Sequence, residues 1–160
     1  MIDSYSRALT LAAAIGAGIT AGVYFAFSTF IMTGLRRLTA AQSIAAMNAI
    51  NKAAPNPLFM LALFGTAIAC VLLAISGFRH RGDPAAVWQL VGCGLYIVSV
   101  LVTVAYHIPR NEGLMKIDPN AARASAIWSH FVTPWIAWNH VRTLTSIGGT
   151  ASLIVALRAS

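Results

Sequence analysis

The stretch "LYIVSVLVTVAYHIPRNEGL" (residues 95–114) decides the fold of this chain. Its first half contains no charged residue, as expected for a helix inside a lipid bilayer, and its second half contains His107, Arg110 and Glu112. The whole protein has only four acidic residues, so a carboxylate directly after an apolar run is unusual. We interpret the stretch as the end of a membrane-spanning helix that contributes to a polar site.

The composition is that of an integral membrane protein. Hydrophobic residues make up 58% of the 160 residues and charged residues 9%, whereas a soluble domain has about 25% charged residues. The net charge of +7 comes from basic residues that lie singly or in pairs at the ends of apolar runs. This distribution favours contacts with lipid headgroups over nucleic-acid binding.

Uncharged runs predict an all-α fold, a bundle of four transmembrane helices in one domain (residues 1–160). A helix needs about 20 apolar residues to cross a bilayer. The predicted spans are 8–33, 57–78, 86–108 and 134–157. Two short connecting helices, 39–54 and 120–131, are predicted on one membrane face. The dipeptides Asn56-Pro57 and Thr133-Pro134 are each expected to start the span that follows.

The distribution of arginine predicts the orientation of a multi-pass protein. Both termini and the short connection between the second and third spans lie on the face opposite the connecting helices. That face carries a higher density of basic residues in short segments, namely Arg7, Arg79, Arg81 and Arg158. By the positive-inside rule, the termini are expected to be cytoplasmic.

The fourth span is short of apolar residues. The uncharged run after Arg142 comprises residues 143–157, and a run of this length is too short to cross a bilayer. Asn139, His140 and Arg142 must therefore lie inside the span or at its edge. An arginine in the centre of a membrane costs about 2.5–3.5 kcal/mol on insertion scales, faces the bundle interior and marks a functional site by default.

A buried Arg142 needs an anion or a set of carbonyls as partners. We expect Glu112 or Asp118 to approach it, with Glu112 favoured because it follows the third span on the same membrane face. The alternative is that the side chain of Arg142 reaches out to lipid headgroups.

Helical spacing groups the polar residues of the fourth span. Asn139, Arg142 and Thr143 share one face. His140 lies about 100° away from Asn139 on the helix, so it faces either the same cavity or sideways. Trp128, Trp135 and Trp138 cluster at this membrane edge as an interfacial belt or as an aromatic wall for a planar substrate.

The end of the third span should complete the site. His107 and Asn111 are four residues apart and share a face if the helix continues past Pro109. That proline would leave the carbonyl of Ala105 without a helical donor. Further candidates for the lining are Tyr24, Ser28 and Thr29 in the first span, and Asn48 and Asn51 in the first connection.

Three histidines, His107, His130 and His140, fall on this side of the membrane. His107 and His140 are the expected ligands if a transition metal binds, although no HxxxH or HxH spacing is present. Alternatively one imidazole acts as a general base without any cofactor. The sequence contains no Gly-rich phosphate loop and no serine nucleophile elbow.

Longer motifs resemble a known family. His107, Pro109 and Asn111, followed by "WNHVRT" (138–143), are similar to motifs of the anthrone-oxygenase-like (DUF1772) integral membrane proteins. The stretches "FAFSTFIMTGL" (25–35) and "MNAINKAAPNPLF" (47–59) also resemble that family. The resemblance implies a small four-helix membrane protein, some relatives of which oxidise an anthrone to an anthraquinone with O₂.

The resemblance also implies a reading of the site as that of a monooxygenase. His140 would be the base, Arg142 would stabilise the oxyanion or peroxide, and Asn111 and Asn139 would orient the substrate. By their position, His107 is a further catalytic candidate, and Glu112, Trp135, Trp138 and Thr143 are further candidates for binding the substrate.

The expected partners are membrane lipid and a small lipophilic substrate, either in a monomer or in a homo-oligomer. Two alternatives stay open. One is a non-catalytic membrane protein that binds or carries a hydrophobic ligand, and the other is a purely structural role for the polar motifs.

Overall fold

The computed structural model describes residues 4–79 and 82–159, and this part of the chain contains helices and no strand. The five helices are α1 (Ser4–Leu35), α2 (Ala40–Ala53), α3 (Pro57–Arg79), α4 (Pro84–Met115) and α5 (Ala124–Ala159). The predicted all-α class is confirmed. Arg81, one of the residues used to predict orientation, lies outside the described residues.

Local signals fix where α2 and α3 begin. Thr39 caps α2 in a reciprocal box: its Oγ1 accepts from the backbone N–H of Gln42 at 3.3 Å, and its own N–H donates to Gln42 Oε1 at 3.1 Å. Asn56 Oδ1 accepts from the N–H of Phe59 at 3.0 Å, and Pro57 is the first residue of α3. Both starts agree with the sequence prediction.

The second connection differs from the prediction. We expected a short helix over 120–131 and a new start at Thr133-Pro134, but α5 continues from Ala124 through Pro134 without a break. Pro134 removes one helical N–H and its acceptor loses a bond. The neighbouring Val132 and Trp135 are nevertheless buried, so packing holds the helix together across the proline.

Among the described helices, α1, α3 and α4 are long and apolar enough to cross a membrane. Helices of this length and composition are consistent with an integral membrane protein. The fourth long helix, α5, packs along α1 and α4. α4 and α5 approach closely at Gly92 and Gly149, because a Cβ added to Gly149 would lie 3.0 Å from the carbonyl oxygen of Gly92.

Two apolar clusters fill the bundle. The cluster nearer the termini includes Ala13, Ala17, Cys70, Leu73, Tyr96 and Leu153. The cluster at the other end includes Met32, Ile44, Met47, Leu114, Phe131 and Trp135. Buried polar residues of α1, α4 and α5 lie along the chain between these clusters.

Three of the long helices widen into a π-helical turn: Phe27–Ile31 in α1, Leu61–Gly65 in α3 and Thr103–His107 in α4. α4 continues past Pro109, beyond the predicted end of the third span at residue 108, and its π turn ends two residues before that proline. π turns occur frequently at functional sites. All three contribute side chains to one cavity.

Candidate active site

A cavity of about 340 Å³ is lined by residues of all five helices. Its volume lies within the range of small-molecule sites, about 300–1,000 Å³. Much of its wall is apolar: Phe27, Met47, Phe59, Met60, Leu63 and Phe64. The polar groups that reach it are those of Tyr24, Asn51, Thr103, His107, Asn111, Glu112, Trp135 and Arg142. An apolar pocket with a few convergent polar groups is the usual form of a site for an organic molecule.

Arg142 is the buried charge of this cavity, and only 6% of its surface is exposed. One terminal nitrogen donates to Asn139 Oδ1 at 2.6 Å, and the other donates to Thr103 Oγ1 at 3.3 Å. Its Cζ lies 4.1 Å from the centre of the Tyr24 ring and 5.5 Å from that of Trp135. As predicted, Arg142 therefore points into the bundle, and its side chain does not extend to the lipid headgroups.

The expected ion pair of Arg142 is not formed. Within residues 4–79 and 82–159 its hydrogen-bond partners are neutral, and its Nε has none. Glu112 lines the same cavity but is exposed. Asp118 is exposed in the second connection, where its Oδ1 accepts from the N–H of Asn120 at 2.9 Å. Aromatic faces and amide oxygens take the place of a carboxylate, because they attract a cation without neutralising it.

Asn139 and Thr143 do not line the cavity. They belong to the hydrogen-bond network that holds Arg142 in position. Asn139 is fully buried and donates to the carbonyl of Tyr24 at 2.9 Å and to Ser28 Oγ at 2.7 Å. Thr143 Oγ1 lies 2.9 Å from Ser28 Oγ. These bonds fasten α5 to the π turn of α1 and fix the amide oxygen that Arg142 contacts. The structure thus places two predicted substrate ligands in a positioning role.

His107 lies in the cavity wall and is 1% exposed. Its Nδ1 is 3.4 Å from the carbonyl of Val102, and its Nε2 is 3.4 Å from the carbonyl of Trp135. The ring packs edge-on against the indole of Trp135 at 4.9 Å. A neutral imidazole has one acceptor nitrogen, and both neighbours of this ring are themselves acceptors. One ring nitrogen of the neutral imidazole therefore lies beside a carbonyl to which it donates no proton, and protonation would add a hydrogen bond there.

Trp135 and Asn111 form a polar pair in the cavity wall. The indole N–H of Trp135 donates to Asn111 Oδ1 at 2.8 Å. Because the amide oxygen faces Trp135, the amide NH₂ group of Asn111 points away from the indole and is oriented for a second acceptor. Both residues were predicted to bind substrate, and both line the cavity.

His140 and Trp138 lie outside the cavity. The side chain of His140 is exposed, because it lies on the face of α5 opposite the buried residues Trp135, Asn139 and Arg142. Trp138 is 44% exposed and packs on Tyr106 with a centroid distance of 5.2 Å. Of the two orientations open to His140, the structure has the outward one, so it does not meet Arg142.

The expected metal pair is not assembled either. His107 is buried inside the bundle, whereas His140 and His130 are exposed. Within the described residues no group of three or more His, Cys, Asp and Glu side chains is placed to hold a metal ion.

Thr103 is a site residue that the sequence analysis missed. Its Oγ1 lies 3.0 Å from the hydroxyl of Tyr24 and accepts from Arg142. Its position four residues before His107 could have revealed it, because residues at this spacing share a helix face. Of the five further candidates for the lining, Tyr24 and Asn51 reach the cavity, whereas Ser28, Thr29 and Asn48 do not line it.

Comparison with known proteins gives one family. The sequence profile of the anthrone oxygenase family matches residues 57–152, which include His107, Asn111, Trp135 and Arg142. No curated protein and no solved structure is significantly similar to this chain. Because the match covers more than half of its 160 residues, the chain belongs to the anthrone oxygenase family.

Proposed function

We propose that this protein is a membrane-embedded oxygenase that uses O₂ to oxidise a lipophilic aromatic compound, anthrone-like or quinol-like, in the cavity beside Arg142. One observation carries the proposal: Arg142 is buried against the cavity and has no carboxylate partner among the described residues. A fixed positive charge in a water-poor site strongly stabilises an anion that develops next to it.

Oxidation of an anthrone proceeds through an anion, which a positive charge stabilises. An anthrone has a methylene carbon between two aromatic rings, and loss of one proton gives an anion that extends to the ketone oxygen. Arg142 stabilises the charge on that oxygen. The anion transfers electrons to O₂, a C–O bond forms, and the resulting hydroperoxide eliminates water. The substrate loses two hydrogens and gains one oxygen atom as a carbonyl, and the second oxygen atom leaves as water.

Other cavity residues accept the proton, orient the substrate and bind its rings. His107 accepts the first proton, because one of its ring nitrogens faces no donor. The NH₂ group of Asn111 orients the substrate oxygen, and the indole of Trp135 holds Asn111 in place. The aromatic wall binds the flat rings. His140, the base expected from the sequence, has no part in this proposal because it lies outside the cavity.

The cofactor requirement follows from the same reaction. The substrate anion supplies the electrons that O₂ needs, so the proposed steps use no resident cofactor. A His-ligated transition metal is the alternative, and His107 is the one histidine of the predicted pair that could hold it inside the cavity.

The position of the cavity suits a substrate dissolved in the membrane. Phe64 and Ile108, at its edge on α3 and α4, are 37% and 39% exposed, and the exposed Glu112 lies one turn beyond Ile108. We infer that the substrate enters between these helices. In this arrangement α5 is the fourth span, and the termini lie on the cytoplasmic face.

Oxygen consumption tests the proposal. Purified protein in detergent is mixed with a hydroxylated anthrone, and O₂ uptake and anthraquinone absorbance are followed together. Micelles without protein give the rate of spontaneous oxidation, which is subtracted. We expect catalysed uptake of one O₂ per anthraquinone, and its loss in R142Q but not in R37Q, which removes an exposed charge. Saturable binding of the anthrone without catalysis would instead show a ligand-binding protein.

A further inference from the structure

We propose that a groove between the end of α4 and the start of α5 binds the phosphate of an anionic glycerophospholipid. This basic groove is lined by Arg110, Arg123 and His130, with Ile117, Ile127 and Phe131 among its apolar residues, and its volume is about 550 Å³. It shares no lining residue with the candidate active site. The proposal therefore stands independently of the oxidation proposed above.

The charges of the groove select an anion. It contains two guanidinium groups and an imidazole, and no carboxylate is among its described lining residues. Glu112 instead lines the other cavity, and Asp118 is engaged with the N–H of Asn120. Guanidinium groups bind phosphate oxygens in pairs of hydrogen bonds. A phosphate would be the missing counter-ion of this surface.

The depth of the groove matches the headgroup layer. Arg110 is the first charged residue after the long apolar run of α4, and its guanidinium lies 4.9 Å from the centre of the Tyr106 ring. His107 contacts the carbonyl of Trp135, so in these antiparallel helices His130 lies near the level of Arg110. Headgroup regions begin where such an apolar run ends.

The apolar residues indicate a lipid more than a free ion. Arg123 lies seven positions before His130, or roughly 10 Å further from the membrane centre at 1.5 Å per residue. A phosphate between Arg110 and His130 places the polar headgroup towards Arg123. The first acyl carbons then leave the groove at its Phe131 end, on the side of the membrane core. Inorganic phosphate would leave this apolar surface uncovered.

Native mass spectrometry tests the proposal on the full chain. Purified protein is titrated with dioleoylphosphatidylglycerol or with dioleoylphosphatidylcholine in mixed micelles. We expect the anionic lipid to bind about tenfold more tightly, which is the effect of roughly one to two kcal/mol from the basic side chains. In R110Q/R123Q the preference should vanish, whereas helix content by circular dichroism should not change.

The matched control removes the same charge elsewhere. R36Q/R37Q lacks two exposed arginines on the same membrane face, outside the groove, and should keep the preference. Equal binding of both lipids by the wild type, or equal loss in both double variants, would overturn the proposal. Stabilisation of the wild type by inorganic phosphate without lipid, lost in R110Q/R123Q, would also overturn it, by showing a site for the free ion.

Discussion

The guanidinium of Arg142 lies 4.1 Å from the centre of the Tyr24 ring, so a buried cation of α5 rests on an aromatic face of α1. The hydroxyl of the same tyrosine is 3.0 Å from Thr103 Oγ1, and Thr103 in turn accepts from Arg142. Three helices thus hold one charge without neutralising it.

Replacing Arg142 with glutamine should abolish activity without unfolding the protein. Loss of a preorganised positive group beside an oxyanion lowers kcat by about 10²–10³. The melting temperature should not fall, because removing an uncompensated buried charge relieves its desolvation cost. Oxygen uptake and thermal unfolding in detergent measure both effects. A marked loss of stability in R142Q would instead support a purely structural role for the polar motifs.

Replacing Asn139 with alanine should destabilise the bundle as well as lower activity. The change leaves a terminal nitrogen of Arg142 and the carbonyl of Tyr24 without their partner. An unsatisfied buried group costs about 1–3 kcal/mol. Thermal unfolding should therefore show a lower melting temperature than in T145A, which loses two hydrogen bonds within α5. Equal stability of the two variants would contradict the positioning role of Asn139.

Substitutions of His107 and His140, the two histidines predicted to be catalytic, should differ in their effect on the oxidation rate. H107Q should lower the rate by about 10²–10⁴, the usual contribution of a general base. H140Q should oxidise the anthrone at a rate close to that of the wild type, because this side chain lies outside the cavity. Steady-state O₂ uptake of both variants makes the comparison. A low rate in H140Q with a nearly normal rate in H107Q would identify His140 as the base. It would also show that α5 is rotated relative to the structure.

Replacing Trp135 with phenylalanine should weaken substrate binding. The aromatic ring is kept, but the hydrogen bond to Asn111 is lost, and its amide is free to turn. A net contribution of about 0.5–1.5 kcal/mol per bond corresponds to a several-fold rise in KM with a smaller change in kcat. An unchanged KM would show that Asn111 does not orient the substrate.

Replacing Pro134 with alanine tests the continuous α5. In a helix interior alanine is favoured over proline by about 3 kcal/mol, and the new N–H can donate to the carbonyl of His130. We expect a higher melting temperature for P134A. Were α5 broken at Thr133-Pro134, as the sequence suggests, the same change would lower the melting temperature by removing a helix start.

The sequence predicts those parts of the fold that depend on local interactions. The caps at Thr39 and Asn56 involve residues three positions apart, so pattern alone identifies them. The pair Thr133-Pro134 has the same pattern but lies inside α5. There, packing of Val132 and Trp135 against other helices outweighs the local signal, and packing partners distant in sequence cannot be read from it.

In the site, too, the sequence predicts what depends on local pattern and misses what depends on packing between helices. The short apolar stretch after Arg142 forces this residue into the bundle, and the sequence predicts that much. Its contact with the Tyr24 ring was not foreseen, because this ring comes from another helix and attracts a cation through its face. The position of His140 was undecided, since a residue 100° from the polar face is turned inward or outward only by the packing of α5.

The most direct test is optical, with 2-hydroxyanthraquinone as a ligand whose anion absorbs at longer wavelength than its neutral form. Bound to the wild-type protein at neutral pH, it should be present mainly as the anion, because Arg142 stabilises the charge. In R142Q the bound ligand should be mainly neutral, and in R37Q it should behave as in the wild type. An equal anionic fraction in wild type and R142Q would contradict a cavity in which this guanidinium holds an aromatic oxyanion.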